Sequence, residues 1–449
     1  MSTLNLHDGE FDRTASLLLF DRTLDWSRPV PSSPPVHRLE PANAIESALL
    51  ACPAFDHLPG SVLVGVAAEI QEHTFSAGES LVLQGQTGRG LWIVAEGEFE
   101  IFLEPGGRPR IHLDVARVGE VLGEMSLLTQ QSASASVVAS TPARAYLLPK
   151  EAFLRLAEIY QPLYVVLSNL VAKRLGRETV DVLTGKILDR YRIRARLGTG
   201  GMSIVYDADC IEDDRRVALK MMSHRLVYDR TALEFFQHEA DVIGSFDHPH
   251  IVRLLGRFQA FHTHFIAMEY CDGVDLKSLI ASRGPLPENE VRSLLGQLAS
   301  AIDYSHQKGI VHRDIKPSNV MLDTRGRLML MDFGLAKPSV EASRGPTVVM
   351  GSPRYMPFEQ LKGDPIDARA DYFAFGCLAY ELLCGRPLIE ARSTTDLLIQ
   401  HERWSVADLV ESLPECGDDL VQILRCALQP LARDRHLDLA AIARWALPA

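Results

Sequence analysis

Three polar side chains of different chemistry lie within one short segment, residues 312–319. Asp314, Lys316 and Asn319 place a carboxylate, an ammonium and an amide at offsets of two and five residues. The carboxylate can accept a hydroxyl proton, the ammonium can balance charge on a phosphoryl group in transfer, and the amide can hold a metal ion. This spacing indicates chemistry that moves a phosphoryl group onto a hydroxyl.

A second carboxylate follows this segment. Asp332 stands directly after the apolar, strand-like run 328–331 and is followed by Phe333 and Gly334. A phosphoryl group in transfer spreads negative charge over its oxygens, so a second metal ligand belongs at such a point. We therefore expect Asp332 and Asn319 to lie close together.

The two segments together resemble the catalytic loop and the metal-binding segment of the eukaryotic-type protein kinases. Lys316, two residues past the aspartate, is the form typical of the serine/threonine class. The resemblance implies ATP as phosphoryl donor, Mg²⁺ (or Mn²⁺) as metal, and protein Ser or Thr hydroxyls as acceptors. It makes Asp314 and Lys316 catalytic, and Asn319 and Asp332 metal ligands.

The nucleotide site is predicted from a glycine-rich turn, residues 197–206, and from Lys220 in the strand-like run 216–222. Glycine lets backbone N–H groups approach phosphates closely. Lys220 could be an ordinary edge-strand lysine. The lysine at the matching position in the family holds the phosphates of ATP and forms an ion pair with a glutamate, which Glu239 matches. Ser203 replaces the family's third glycine. The resemblance assigns nucleotide binding to Gly198, Thr199, Gly200, Gly201, Val205, Ala218, Lys220, Met268, Glu269 and Cys271, the last three in the connector between two lobes.

The segment after Asp332 carries the expected regulatory features. Arg313, next to Asp314, is typical of kinases whose activation segment is ordered by a phosphate. The candidate hydroxyls are Ser339, Ser343, Thr347 and Ser352, of which we favour Thr347 for autophosphorylation. The family hydroxyl at Ser352 contacts the catalytic Asp and Lys. Further on, Glu359 and Arg435 match a glutamate and an arginine that form an ion pair in the family. Asp371 matches the aspartate that braces the backbone of the catalytic loop. Phe358 replaces a proline and is expected to loosen its segment.

Residues 46–160 show short strand-like runs separated by glycine turns, as where Phe99 and Ile101 alternate with Glu100. This pattern favours a sandwich or jelly roll. The region to about residue 180 resembles the cyclic-nucleotide-binding domain, with residues 123–128 matching the start of its phosphate-binding cassette. An amphipathic helix over about 160–176 should then lead towards the kinase-like part.

The phosphate-binding arginine of that cassette is absent. Ala133 stands in its place, and residues 118–143 contain neither Lys nor Arg. Loss of one partner of a buried ion pair costs about 3–5 kcal/mol, so we expect ordinary cyclic-nucleotide affinity to be lost. Whether Arg89, Arg110 or Arg117 extends from another strand to the phosphate position and replaces the missing arginine stays open.

The overall prediction is a multidomain α+β chain. A disordered segment 1–45 precedes a β jelly roll with flanking helices (46–180), a linker (181–190) and a two-lobed protein kinase fold (191–447), in which strand-like runs come before helical patterns. A catalytically weak pseudokinase that acts as a scaffold is the alternative. Protein substrates, signal and oligomeric state are not indicated.

Composition narrows the remaining classes. The formal net charge of -12 argues against nonspecific binding to nucleic acid, and a transcription regulator would not carry kinase motifs after its ligand module. No apolar run approaches the length of a membrane span, and the N-terminus lacks a signal-peptide pattern. We therefore expect a cytoplasmic protein.

Overall fold

The computed structural model describes residues 43–56, 58–104, 109–129, 132–160, 162–175, 183–227, 229–260, 263–334, 337–338, 352–391, 394–406 and 413–446. The predicted disordered segment 1–45 therefore lies almost wholly outside the described residues. No helix in these ranges is both long and apolar enough to cross a membrane.

The N-terminal module is a sandwich of two antiparallel sheets. Strands β1–β8 are Gln71–Phe75, Ser80–Val82, Gly90–Glu96, Phe99–Leu103, Ile111–Ala116, Val121–Leu122, Ser136–Ala139 and Ala143–Pro149. The sheets have the orders β1-β8-β3-β6 and β2-β7-β4-β5. Phe99 and Ile101 point into the core between the sheets while Glu100 is exposed, as the alternation predicted. The predicted jelly roll is confirmed.

Helices flank this sandwich. They are α1 Ala44–Ala51, α2 Gly60–Glu69, α3 Glu124–Thr129, α4 Lys150–Ile159 and α5 Pro162–Leu175. Helix α5 is the predicted amphipathic helix, and Leu163, Val166, Leu167 and Val171 form its buried side. Asn43 caps α1 by accepting the N–H of Glu46.

The next domain opens with a six-stranded sheet in the order β13-β14-β12-β11-β10-β9. These strands are β9 Ile187–Leu188, β10 Tyr191–Thr199, β11 Ser203–Cys210, β12 Arg216–Met222, β13 Leu254–Ala260 and β14 Thr263–Glu269. A 3-10 turn, His224–Leu226, and helix α6, Arg230–Gly244, connect β12 to β13. The predicted strands β10–β12 are present, and β9 converts part of the expected linker into an edge strand.

The second lobe is mostly helical. Its helices are α7 Leu276–Arg283, α8 Glu288–Gln307, α9 Phe358–Lys362, α10 Arg369–Cys384, α11 Thr394–Glu402, α12 Asp418–Ala427 and α13 Leu439–Ala443. Its short strands are β15 Gly273–Asp275, β16 Ile310–Val311, β17 Val320–Asp323, β18 Leu328–Leu330 and β19 Lys337–Pro338. Helix α10 is buried along most of its length, so it forms the centre of this lobe.

The module and the first lobe share one apolar core. Leu163, Leu167 and Val171 of α5 belong to the same buried cluster as Tyr191 and Ile193 of β10. Helix α5 also contacts the 3-10 turn His224–Leu226. The two parts are therefore packed together rather than joined only by a chain.

Candidate active site

One lysine joins the two lobes at the cleft. Lys220 Nζ, on β12, donates to Glu239 Oε1 at 2.6 Å and Oε2 at 2.7 Å, and to Asp332 Oδ1 at 2.8 Å. The side chains of Lys220 and Glu239 are 12% and 4% exposed, whereas Asp332 is 45% exposed. Ion pairs buried to this degree fix positions, because neither partner can exchange its contact for water.

Electrostatics keeps Lys220 and Asp332 of this cluster charged. Burial alone would lower the pKa of Lys220, but Glu239 and Asp332 outweigh burial and raise that pKa above its usual value. Burial would raise the pKa of Asp332, yet Lys220, followed by His312 and Lys316, holds it below the ordinary range. Burial raises the pKa of Glu239 to about 7, although Lys220 opposes this shift. The half-exposed carboxylate of Asp332, whose pKa stays low, is the group suited to a divalent cation.

Asp314 lies at the centre of the catalytic loop. Its Oδ2 accepts from Lys316 Nζ at 2.6 Å and from Asn319 Nδ2 at 3.1 Å, and its Oδ1 accepts from the Ser352 N–H at 3.0 Å. Asn319 Nδ2 also donates to the Asp314 carbonyl at 2.9 Å. The amide nitrogen of Asn319 faces Asp314, so its Oδ1 is the atom suited to a metal.

The backbone links the loop around Asp314 to the segment of Asp332. The Met331 N–H donates to the Asn319 carbonyl at 2.9 Å, and a ring nitrogen of His312 lies 3.0 Å from the Met331 carbonyl. Arg313 and Asp332 both have left-handed φ angles, +68° and +65°. Such conformations are costly for residues with a Cβ and concentrate at functional sites, where the surroundings enforce them.

The glycine-rich turn lies between β10 and β11. The Gly200 N–H donates to the Ser203 carbonyl at 2.8 Å, which closes the turn. A Cβ added to Gly198 or Gly201 would meet no described atom within 4 Å, and one on Gly200 would make only an ordinary contact. Packing does not require glycine here, which fits a turn whose backbone approaches a ligand.

The other predicted nucleotide-site residues line up across the sheet. Val205 of β11 pairs with Lys220, and Ala218 of β12 pairs with Met268 of β14. Thr199 is exposed at the end of β10. These positions put the turn, the lysine and the connector along one side of the cleft.

The connector follows β14. Met268 and Cys271 are buried, and burial raises the pKa of the Cys271 thiol to about 11. The Glu269 carboxylate accepts from Arg327 Nη2 at 2.7 Å. The side chain of Glu269 is therefore held by Arg327, and its backbone N–H donates to the Arg253 carbonyl at 2.9 Å.

The segment after the cleft differs from expectation in two details. Ser352 contacts Asp314 through its backbone N–H rather than through a hydroxyl contact. Phe358 does not leave its segment loose, since its ring stacks on His401 at 5.8 Å and lies under Lys362 Nζ at 4.0 Å. Ser339, Ser343 and Thr347 lie outside the described residues.

Two supports of the catalytic loop carried no sequence signal. His306, on α8, lies 2.7 Å from Asp371 Oδ2, and Gln360 Nε2 donates to the Arg313 carbonyl at 3.0 Å. Neither residue type marks such a role, because each only completes hydrogen bonds that the fold creates. An alignment of relatives would be the signal to find them.

This chain belongs to the protein kinase domain family, whose model matches residues 191–437, more than half of the chain. Residues 72–160 match the cyclic nucleotide-binding domain family. Membership in the first family implies the use of ATP and a divalent metal.

Two bacterial proteins are among the relatives of similar sequence. A probable serine/threonine-protein kinase PknB of Lactococcus lactis is 34% identical over 260 residues, which cover 57% of this chain and 41% of that protein. The serine/threonine-protein kinase PrkC of Bacillus subtilis is 36% identical over 244 residues, 52% of this chain and 38% of the relative. The chain thus spans less than half the length of these relatives.

Proposed function

We propose that this chain is a serine/threonine protein kinase that transfers the γ-phosphoryl group of ATP to Ser or Thr hydroxyls of proteins. The observation that carries the proposal is the meeting of Lys220, Glu239 and Asp332 at 2.6–2.8 Å across the two lobes. ATP and protein acceptors are both available in the cytoplasm, where we expect it to act.

Each residue has a distinct role in this proposal. Lys220, held by Glu239, binds the phosphates of ATP, while the glycine-rich turn covers them with backbone N–H groups. Asp314 accepts the proton of the acceptor hydroxyl, and Lys316, 2.6 Å from it, balances charge on the phosphoryl group. Asn319 and Asp332 would hold Mg²⁺, which when bound neutralises charge that builds on the phosphoryl oxygens.

Regulation by phosphorylation has one structural support. Arg313 is buried, and its Nε and Nη2 atoms make no hydrogen bond with any described residue. Burial lowers the pKa of this guanidinium, which favours the arrival of an anion that restores the lost solvation. We propose that a phosphate on Thr347 is this anion.

Regulation by the N-terminal module is the second part of the proposal. Helix α5 contacts the 3-10 turn His224–Leu226, which lies between the strand of Lys220 and the helix of Glu239. A displacement of α5 would therefore act on the segment that separates the two partners of the ion pair.

The experiment compares phosphoryl transfer from labelled ATP by the wild type, Asp314→Asn and a matched control, Asp364→Asn, whose side chain is exposed. Loss of a general base costs typically 10²- to 10⁴-fold, so we expect Asp314→Asn to lose about that factor while the control keeps the wild-type rate. The label should appear on Ser and Thr. Equal incorporation by Asp314→Asn and wild type would favour the scaffold alternative.

A further inference from the structure

A cysteine and a histidine meet on the surface of the helical lobe, outside the catalytic cluster. Cys426, near the end of α12, has its Sγ atom 3.3 Å from Nε2 of His436, which follows the 3-10 turn Ala432–Asp434. Cys426 is partly exposed, and His436 is exposed. A nucleophilic sulfur and a base within its reach are therefore both open to reagents in solution.

The main chain selects the tautomer of this histidine. Nδ1 of His436 lies 3.3 Å from the carbonyl oxygen of Asp434, which can only accept a hydrogen bond. Nδ1 therefore carries the proton, and Nε2 of the neutral ring presents its lone pair to the thiol. Cys426 is the donor in the contact, and His436 is placed to take up its proton. A nucleophile, a base and a group that orients the base are thus arranged in sequence.

A side-chain amide also contacts the sulfur. Gln422 Nε2, one helical turn before Cys426 on α12, donates to Cys426 Sγ at 3.3 Å. A hydrogen bond donated to sulfur favours the thiolate, because it is stronger to the charged form than to the neutral form. Once the thiol proton has passed to His436, the sulfur has an N–H donor on two sides.

The other cysteines have different surroundings. Four of the seven are buried, and Cys384 and Cys416 are partly exposed like Cys426. Burial raises the pKa of the Cys384 and Cys416 thiols, so both stay protonated at neutral pH. The thiolate is the reactive form of cysteine. Partial exposure alone therefore does not make a reactive thiol here, and the adjacent imidazole distinguishes Cys426.

We propose that Cys426 is a site of reversible modification by low-molecular-weight disulfides, with His436 as its base. The Cys426 sulfur attacks one sulfur of the disulfide RSSR while its proton passes to His436 Nε2. A new S–S bond joins Cys426 to one RS group, the original S–S bond breaks, and the released RS⁻ takes the proton from His436. Cys426 is oxidised to a mixed disulfide, the released half is reduced to RSH, and a free thiol reverses the step.

The modification acts on a neighbouring ion pair. The side chain of Arg435, next to His436, is fully buried. It donates to the Gln429 carbonyl at 2.6 Å and pairs with Glu359 of α9. Cys426 and His436 lie at the two ends of the segment that Arg435 closes with these contacts. A group attached to the sulfur occupies the space of the imidazole, so it displaces His436 and weakens the hold of Arg435 on Glu359.

The labelling test treats the full, folded chain with the chromogenic disulfide dithiobisnitrobenzoate and locates the adduct by peptide mass spectrometry. We expect Cys426 to react about tenfold or more faster than Cys384, which is also partly exposed. His436→Gln keeps a polar side chain that cannot take up the proton, so it should slow the reaction of Cys426 by about tenfold or more. Cys384→Ser is the matched control and should leave the rate at Cys426 unchanged.

Two results would overturn the proposal. One is a reaction of Cys384 as fast as that of Cys426 in the wild type, and the other is an equal rate at Cys426 in His436→Gln and the wild type. For the effect on the ion pair, we expect the complete adduct to lower the Tm by about 2 °C or more, and the same treatment of Cys426→Ser to leave the Tm unchanged. An unchanged Tm of the modified wild type would contradict that effect. These measurements require no phosphoryl transfer, so an inactive chain would refute the proposed function alone.

Discussion

At the scale of single residues, Asp371 determines the shape of the catalytic loop. It is fully buried, and its two carboxylate oxygens accept the backbone N–H groups of His312 at 2.9 Å and Arg313 at 2.8 Å. Arg313 has a left-handed φ, which costs roughly 1–2 kcal/mol for a residue with a Cβ. The hydrogen bonds that Asp371 accepts offset this strain and fix the backbone just before Asp314.

The pKa of Asp371 gives this contribution a pH dependence. Burial raises the pKa, but the contacts with His306 and the N–H of Arg313 outweigh burial and hold the pKa below its usual value. The unfolded chain therefore binds this proton first as the pH falls. The stability that Asp371 contributes is complete above about pH 4 and is lost as the pH falls through the folded-state pKa.

We predict that Asp371→Asn lowers the free energy of unfolding by about 2 kcal/mol at pH 7, because charge-assisted hydrogen bonds to the loop are lost. Urea denaturation at pH 7, 5 and 3 should show this difference shrinking below about pH 4. Asp303→Asn, whose carboxylate accepts from Gln307 Nε2 at 2.7 Å, is the control with little effect. A difference that stays the same at all three pH values would contradict the prediction.

At the scale of elements, α9 is held on two sides. The Phe358 ring stacks on His401, and Glu359 accepts from Arg435 at 2.5 and 3.1 Å. The Arg435 side chain is fully buried and also donates to the carbonyls of Gln429 and Pro430. Phe358 thus makes side-chain contacts at a position where the family has a proline.

Removal of Arg435 should therefore be severe. We predict that Arg435→Met lowers the free energy of unfolding by about 3–5 kcal/mol, since Glu359 would be left partly buried without its partner. Arg433→Met is the matched control, because Arg433 is 78% exposed and lies 4.0 Å from Asp434. Its effect should stay within about 0.5 kcal/mol. If denaturant unfolding showed the same decrease in the free energy of unfolding for both variants, the buried ion pair would have no special role.

Several elements were predictable from residue pattern, and others were not. Strands β10–β12 and helices α6 and α8 follow clear apolar periods, so sequence alone located them. Helices α1 and α2 consist largely of small and apolar residues on all sides, which blurs the helical period. Strand β9 has two residues and exists only because β10 offers it an edge.

The site shows the same division. Phosphoryl transfer requires particular side chains at fixed offsets, so Asp314, Lys316 and Asn319 could be recognised from the sequence. The contact of Lys186 with Ser132 joins residues 54 positions apart, one in the segment before β9 and one in the N-terminal module. No local pattern encodes such a contact, because it depends on how the module packs against the kinase sheet.

At the scale of the whole molecule, the ion pair of Lys220 and Glu239 joins two cores. Leu219 and Met221, beside Lys220, belong to the core shared with the N-terminal module. Phe236 and Ala240, beside Glu239, belong to the core of the helical lobe. Any shift of one core against the other therefore acts on this ion pair. Because Lys220 also donates a hydrogen bond to Asp332, such a shift acts on the position of Asp332 as well.

The most direct test of this convergence compares phosphoryl-transfer rates of Lys220→Met, Asp332→Asn, the double variant and the control Asp364→Asn at saturating Mg²⁺ and ATP. Residues that act as one unit have effects that do not multiply. We predict that each single variant loses most of the wild-type rate, that the double variant is no more than about tenfold slower than the worse single variant, and that the control is unaffected. A wild-type rate in either single variant would contradict the account.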